Sequence, residues 1–282
     1  MSASAQAAQV TFEFKGFVTQ LSNSAAFGGI AMGDEISGTL AYDSSTAPNK
    51  AWGAWAATYT LQGGGTNLTF KLANGKQYQD TTLNARLVNG PVYPAASDDA
   101  FVINEGYPNP SSYAKTGETE SLHLEFRNTT GVNGLWSANM PTNIDLSRLP
   151  FSGGTLQIFS GPEPTGDDIY VIDRRSNGYA DSPYGGYYTG SQNYQTVTRY
   201  SRANPDQPAY SFPIDGPYAG SSYPGSELDR YNNWIAAGNA PMYVDTLAFN
   251  MTSIATPVPE ANSVLMLLAG VAMLGAARRR MR

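Results

Sequence analysis

The sequence contains no cysteine. That absence excludes disulfides, thiolate nucleophiles and Cys-based zinc sites together. It has a single histidine, His123, so a multi-histidine metal site is excluded as well. Charge is also scarce: 14 % of the 282 residues are charged, against about a quarter in typical soluble domains. A helical bundle wants Ala, Leu, Glu and Lys on its surfaces. Here Gly, Ser, Thr, Asn and Tyr fill those places, a balance that suits short strands joined by many turns. Basic charge is scarcest of all outside the last five residues. The chain has 17 basic and 23 acidic residues, a formal net charge of -6 and a pI of about 4.8. Setting aside Arg278, Arg279, Arg280 and Arg282 leaves 13 basic residues against 23 acidic ones, about -10 for the body. So acidic a body argues against nucleic acid as a partner, because phosphate neutralisation needs a basic face. Neither a phosphate loop nor a dinucleotide fingerprint occurs, and no repeat of fixed period stands out.

What is present is a series of short apolar bursts. "VTFEFKGFVTQL" puts Phe12, Phe14 and Gly16 on one face, and "DEISGTLAYD" does the same for Ile36, Gly38, Leu40 and Tyr42. "AATYTLQ", "NLTFKLANG", "TTLNARLVNG" and "DAFVINEG" follow, then "SLHLEFRN" with Leu122, Leu124 and Phe126 inward, "GTLQIFSG" and "MYVDTLAFNMTS". Asn74-Gly75 and Asn89-Gly90 are turn signals. About nine strands at this spacing predict an all-β fold, an antiparallel two-sheet sandwich of jelly-roll type, in one domain over residues 10–255. Within it, residues 176–234 carry 10 of the 18 tyrosines with many Gly, Pro and Ser. They read as a long Tyr/Gly-rich loop region, functional or disordered. One short helix is expected inside it at "SELDRYNNWIAAG", with Ser226 as N-cap and Gly238 past its end.

The two ends differ from the body. Residues 1–9 carry Ala3-Ser4-Ala5 and Ala5-Gln6-Ala7, small-x-small patterns of the kind that precede a signal-peptidase cut. They read as the remnant of a signal peptide or a flexible tail. Residues 256–282 hold an apolar run, Val264 to Ala277, followed by the arginines. As a helix those 14 residues span about 21 Å, against about 30 Å of hydrocarbon. Local thinning and snorkelling arginines would make up the difference. The arginines belong on the cytoplasmic side, which places the body outside the cytoplasm.

Pro259 and Glu260, then the apolar helix, then the Arg cluster resemble the PEP-CTERM sorting signal of Gram-negative bacteria, with Ala261 where a second proline is usual. "FKGFVTQLSNS" and "MGDEISGTLAYDSSTAP" resemble the opening of many proteins that carry that tail. The resemblance implies an exported protein held at the inner membrane by its helix, then processed near Pro259–Glu260 by an exosortase-type enzyme. It implies a final place at the cell surface or in a polysaccharide or biofilm matrix. The body then reads as non-enzymatic.

Several constellations in the body carry possible chemistry. Trp52 and Trp55, with Tyr187 and Tyr188 of the Tyr-rich region, could form an aromatic platform for sugar rings, which would make the body a carbohydrate-binding module. Alternatively, one or both tryptophans plug the core. Ser121, His123 and Glu125 share a strand face. Positions i and i+2 lie about 6.6–7 Å apart, too far for a nucleophile and its base, so a solvated outer face is the expectation. Glu118, Glu120 and Glu125 are acids near one another, but glycan hydrolysis needs a pair about 5–9.5 Å apart across a cleft. "ASDD" and "GDDIYVIDRRSNG" read as acidic turns, with Asp98, Asp99, Asp167, Asp168 and Asp173 as calcium ligands or plain surface acids. No other cofactor is expected.

Overall fold

The computed structural model describes residues 9–52, 56–89, 99–104, 120–128, 139–161, 166–174, 195–201, 204–214 and 225–255. The strands are β1 (Gln9–Leu21), β2 (Glu35–Asp43), β3 (Lys50–Ala51), β4 (Ala56–Gln62), β5 (Asn67–Leu72), β6 (Gln77–Asp80), β7 (Thr82–Val88) and β8 (Asp99–Ile103). They continue with β9 (Glu120–Asn128), β10 (Phe151–Ser160), β11 (Asp168–Arg174), β12 (Thr196–Ser201), β13 (Asn204–Pro213) and β14 (Met242–Ala255). Among the described residues there is one α-helix, α1 (Gly225–Ala236), which precedes β14. All nine expected strands are present. Asn74-Gly75 turns the chain between β5 and β6, with Gly75 at φ 87°.

The strands do not divide into two sheets as expected. They form one hydrogen-bonded sheet in the order β3-β4-β7-β8-β9-β10-β14-β1-β2-β5-β6, with β11, β12 and β13 branching from β14. Every pairing is antiparallel except β11 on β14. β7 to β10 lie side by side as a meander, unlike the Greek keys of a jelly roll.

The sheet bends back on itself. β2 and β8 are five places apart in the order, about 24 Å along a flat sheet. Yet the rings of Tyr42 and Phe101 are 6.0 Å apart, edge to face. The bend accompanies two register shifts between β1 and β14, at Lys15/Gly16 and Val18/Gln20. Bulges of this kind increase local twist. One sheet thus supplies both walls of the main core.

At the centre of that core Phe14 and Phe249 stack at 5.9 Å, and Phe70 meets both edge-on, at 5.8 Å and 5.2 Å. Two glycines make room. A Cβ on Gly38 would lie 2.1 Å from the Thr69 carbonyl oxygen and 2.3 Å from the Phe14 ring; one on Gly16 would lie 2.2 Å from the Asn250 carbonyl oxygen. Gly16 therefore lets β1 close onto β14 at the first bulge.

The branch departs furthest from expectation. "GDDIYVIDRRSNG", expected as an acidic turn, contains β11, with Ile169, Tyr170, Val171 and Ile172 all buried. The Tyr-rich region contains β12, β13 and α1. Among the described residues β13 pairs with β12 alone, and it holds Pro205, Pro208 and Pro213, which an edge strand tolerates because proline cannot donate to a ladder. The helix begins at Gly225, so Ser226 lies inside it rather than capping it, while Gly238 follows the end at φ 87° as expected. α1 turns Leu228, Tyr231 and Trp234 toward Tyr170, Ile172 and Val197, forming a small second core.

Burial raises the phenol pKa of Tyr42, Tyr59, Tyr78, Tyr170 and Tyr231. Glu120 adds to the effect at Tyr78, and Asp168 adds to it at Tyr170. The unfolded chain ionises these groups near their ordinary value of about 10, whereas the folded chain holds its protons longer. The stability this contributes is complete below pH of about 10 and is lost as pH rises through the folded values. Alkaline titration should therefore release phenolate absorbance in step with loss of secondary structure by circular dichroism. Ionisation of these five tyrosines in a body that keeps its circular dichroism would contradict the burial.

Candidate functional site

β14 is the strand from which the C-terminal tail departs. One edge pairs with β10 from Tyr243 to Asn250. The other edge is shared: β11 takes Met242–Asp245 and β1 takes Leu247–Ala255. The two neighbours run in opposite directions along that edge, so their C-terminal ends meet at Asp245 and Thr246. Asp245 is 2 % exposed. Its carboxylate lies 3.4 Å from Arg174 Nη1 and accepts from Ser22 Oγ and Asn23 Nδ2, each at 3.5 Å. Arg174 also lies over the Tyr243 ring, 3.9 Å from its centroid. This polar clasp separates the main core at Leu247 from the second core at Tyr243. It was missed from sequence, although an aspartate within "MYVDTLAF" was a signal for it.

Beyond Asn250 the strand loses β10 as a neighbour. Thr252 is the extra residue of a bulge, its hydroxyl 3.3 Å from the Lys15 carbonyl oxygen. Ser253, Ile254 and Ala255 then pair with Lys15, Phe14 and Glu13 of β1. Because β1 and β14 are antiparallel, residue 9 and residue 255 leave the same end of the sheet. From Ala255 to Pro259 the chain reaches at most about 14 Å, and to Val264 at most about 32 Å. The sorting-signal residues Pro259, Glu260, Ala261, Arg278, Arg279, Arg280 and Arg282, and the apolar run, lie outside the described residues. Among the described residues no helix is long and apolar enough to cross a membrane.

The aromatic platform is placed in part. Trp52 follows β3 at the tip of the β3–β4 hairpin, where its main-chain N–H donates to the Ala56 carbonyl (2.8 Å). It is 42 % exposed, so it does not plug the core. Lys50 Nζ sits 4.6 Å from the ring centroid. Trp55, Tyr187 and Tyr188 lie outside the described residues.

The face carrying Ser121, His123 and Glu125 is not solvated as expected. Glu125 is 5 % exposed, and Ala100 and Val102 on the same side of β8 are equally buried. Alternation marks the two faces of a strand but cannot tell whether the second face is covered. The Glu125 carboxylate accepts from Arg127 Nε at 2.7 Å and lies 3.9 Å from His123 Nε2. His123 Nδ1 is 3.0 Å from the Asn104 carbonyl oxygen, to which it donates. The imidazole is thus turned toward Asn104 and Glu125. Glu120 sits on the opposite face of β9 from Glu125, about 16 Å along the strand, beyond the reach of a hydrolytic pair. Burial raises the Glu120 pKa, with Lys76 opposing. Glu118 lies outside the described residues.

The calcium ligands are scattered. Asp99 is fully buried on β8, opposite Asn128 of β9. Asp167 is exposed beside β11. Asp168 accepts from Arg199 Nη1 at 3.3 Å and from Arg230 Nη2 at 2.7 Å. Arg199 in turn donates to both oxygens of Glu227, at 3.0 Å and 3.1 Å. That chain of four charges pins α1 to β11 and β12, and the carboxylate of Asp168 is committed to it. Asp98 and the side chain of Asp173 lie outside the described residues. Among the described residues no three His, Cys, Asp or Glu side chains converge as a metal site.

A family model for the PEP-CTERM protein-sorting motif matches residues 257–281, starting two residues past the end of β14. No curated protein and no solved structure matches the chain. The motif marks an exported protein, processed at the membrane by an exosortase for display at the cell surface.

Proposed function

We propose that the body is a non-enzymatic component of the cell surface or extracellular matrix, associated with polysaccharide, and that chemistry is done to it rather than by it. The observation that carries this reading is the sorting motif at residues 257–281, joined to the last strand by a single residue. In the precursor the apolar run holds the body at the inner membrane with the arginines on the cytoplasmic side. The processing enzyme then breaks a peptide bond near Pro259–Glu260. If water is the acceptor, its hydroxyl completes a carboxylate on the body, and the tail leaves with a new amino group. Trp52 supports association with glycans: it is an exposed aromatic at a hairpin tip, on the sheet end from which the tail departs. The Lys50 ammonium covers part of the ring and leaves the rest open to stacking.

Fractionation of the native host tests both parts. Mass spectrometry of the surface and medium fractions should find a mature C-terminus near Pro259–Glu260. An intact Arg282 on membrane-bound protein would overturn the sorting role. In the same fractions Trp52→Ala should be processed normally but shed from the polysaccharide matrix into the medium. Unchanged retention would remove Trp52 from the glycan reading.

A further inference from the structure

We infer that Ser253–Ala255 is a detachable end of β14 that the processing enzyme peels from β1 and holds as part of its extended substrate. The inference rests on the sorting role proposed above and adds a recognition segment within the folded body.

Three features of β14 carry it. First, among the described residues the segment has a neighbour on one edge only, since β10 pairs no further than Asn250. Second, the Thr252 bulge interrupts the ladder just before it, so three pairs can open without disturbing Met251 and the pairs beyond. Third, Ser253 and Ala255 are exposed, and Ile254 is the one side chain of the three that packs against the main core, where it is partly buried. Such a terminal segment opens at far lower free energy than the strand centre, where β10 and β1 hold both edges.

The need for opening follows from reach. A peptide-cleaving enzyme holds several residues ahead of the cut as an extended strand, through main-chain hydrogen bonds. With the cut near Pro259, Ala255 is four residues ahead and its main chain already serves β1. The scissile bond also lies within about 14 Å of the end of a folded sheet, and release of three residues adds about 10 Å. Opening therefore frees the backbone groups the enzyme must bind and clears the body from its cleft.

Because the chain has no cysteine, a designed disulfide can test this. Glu13 and Ala255 are directly paired and both exposed. Opposed residues in antiparallel strands have Cα atoms about 4.5–5.5 Å apart, within disulfide range. The Glu13→Cys/Ala255→Cys full-length chain, expressed in the native host and oxidised outside the cytoplasm, should lose its tail about ten-fold more slowly than wild type or recover only on reduction. Phe17→Cys/Asn250→Cys cross-links the same strands on the body side of the bulge and should be processed at the wild-type rate. Normal processing of the oxidised Glu13–Ala255 variant would overturn the inference. Equal slowing by both cross-links would overturn the confinement to Ser253–Ala255. A wild-type chain that keeps Arg282 would instead remove the sorting role, and this inference with it.

Discussion

Phe249→Ala should lower the unfolding free energy by about 3–5 kcal/mol, the range for truncating a buried aromatic. Phe249 is fully buried and is the ring that both Phe14 and Phe70 contact. It also sits on β14 between β10 and β1, opposite Gly154 and Val18. Glycine at position 154 supplies no side chain to collapse into the space, so the cavity should persist and the cost should fall in the upper part of that range. Urea unfolding followed by intrinsic fluorescence would measure it. A loss below about 1 kcal/mol would mean that the two walls of the core do not meet at this ring. With total stabilities of about 5–15 kcal/mol for domains in general, the variant should also be depleted from the cell surface.

Arg199→Ala should cost about 2–3 kcal/mol, and Arg230→Ala less than about 1 kcal/mol. Both arginines serve Asp168, but their settings differ. The Arg199 side chain is 14 % exposed and bridges Asp168 and Glu227, whereas that of Arg230 is 51 % exposed. Burial opposes the charge of Arg199, and the Glu227 and Asp168 carboxylates more than offset it, raising its pKa. Its removal leaves Glu227 without that guanidinium in a mostly buried position, above Tyr170, whose hydroxyl has no hydrogen-bond partner among the described residues. The loss should be local, seen as faster hydrogen exchange in α1 and β12 with β2 and β5 unchanged. Equal effects of the two substitutions would show that burial does not set the worth of this network.

Legibility from sequence followed the range of the interactions. Most of the nine strands were readable because one face is buried and the other open, a pattern contained in the strand itself; β8, buried throughout, was readable as a short apolar run closed by a turn signal. β11 was not, because its Ile-Tyr-Val-Ile run is buried on both faces and so lacks alternation, and the flanking aspartates imitate a turn. β13 was hidden by prolines that are harmless only on an edge, and edge position is a property of the whole sheet, whereas β12 contains none and was obscured by the Tyr/Gly-rich sequence around it. Closure of one sheet into two walls depends on bulges at Thr19 and Thr252, which exist only in the pairing of β1 with β14. The sorting signal was the most readable feature, since its three parts follow one another directly along the chain. The covered outer face of β9, with Glu125 held by Arg127, could not be seen from a single strand.

The pairing of β1 with β14 also bears on when the body can fold. Glu13 meets Ala255 across about 240 positions of sequence, so the central ladder cannot form until nearly the whole body is available. Folds dominated by such distant pairings have high contact order and acquire structure slowly. For an exported chain that delay is useful. A polypeptide threading outward strand by strand can pair β1 with β2 early, but the other edge of β1 has no partner until β14 has emerged, so the sheet stays incomplete while the chain passes through a narrow channel. The same delay leaves the Phe-rich strands open to one another and to other chains in the interval. Chaperone demand should therefore be greatest just before β14 arrives.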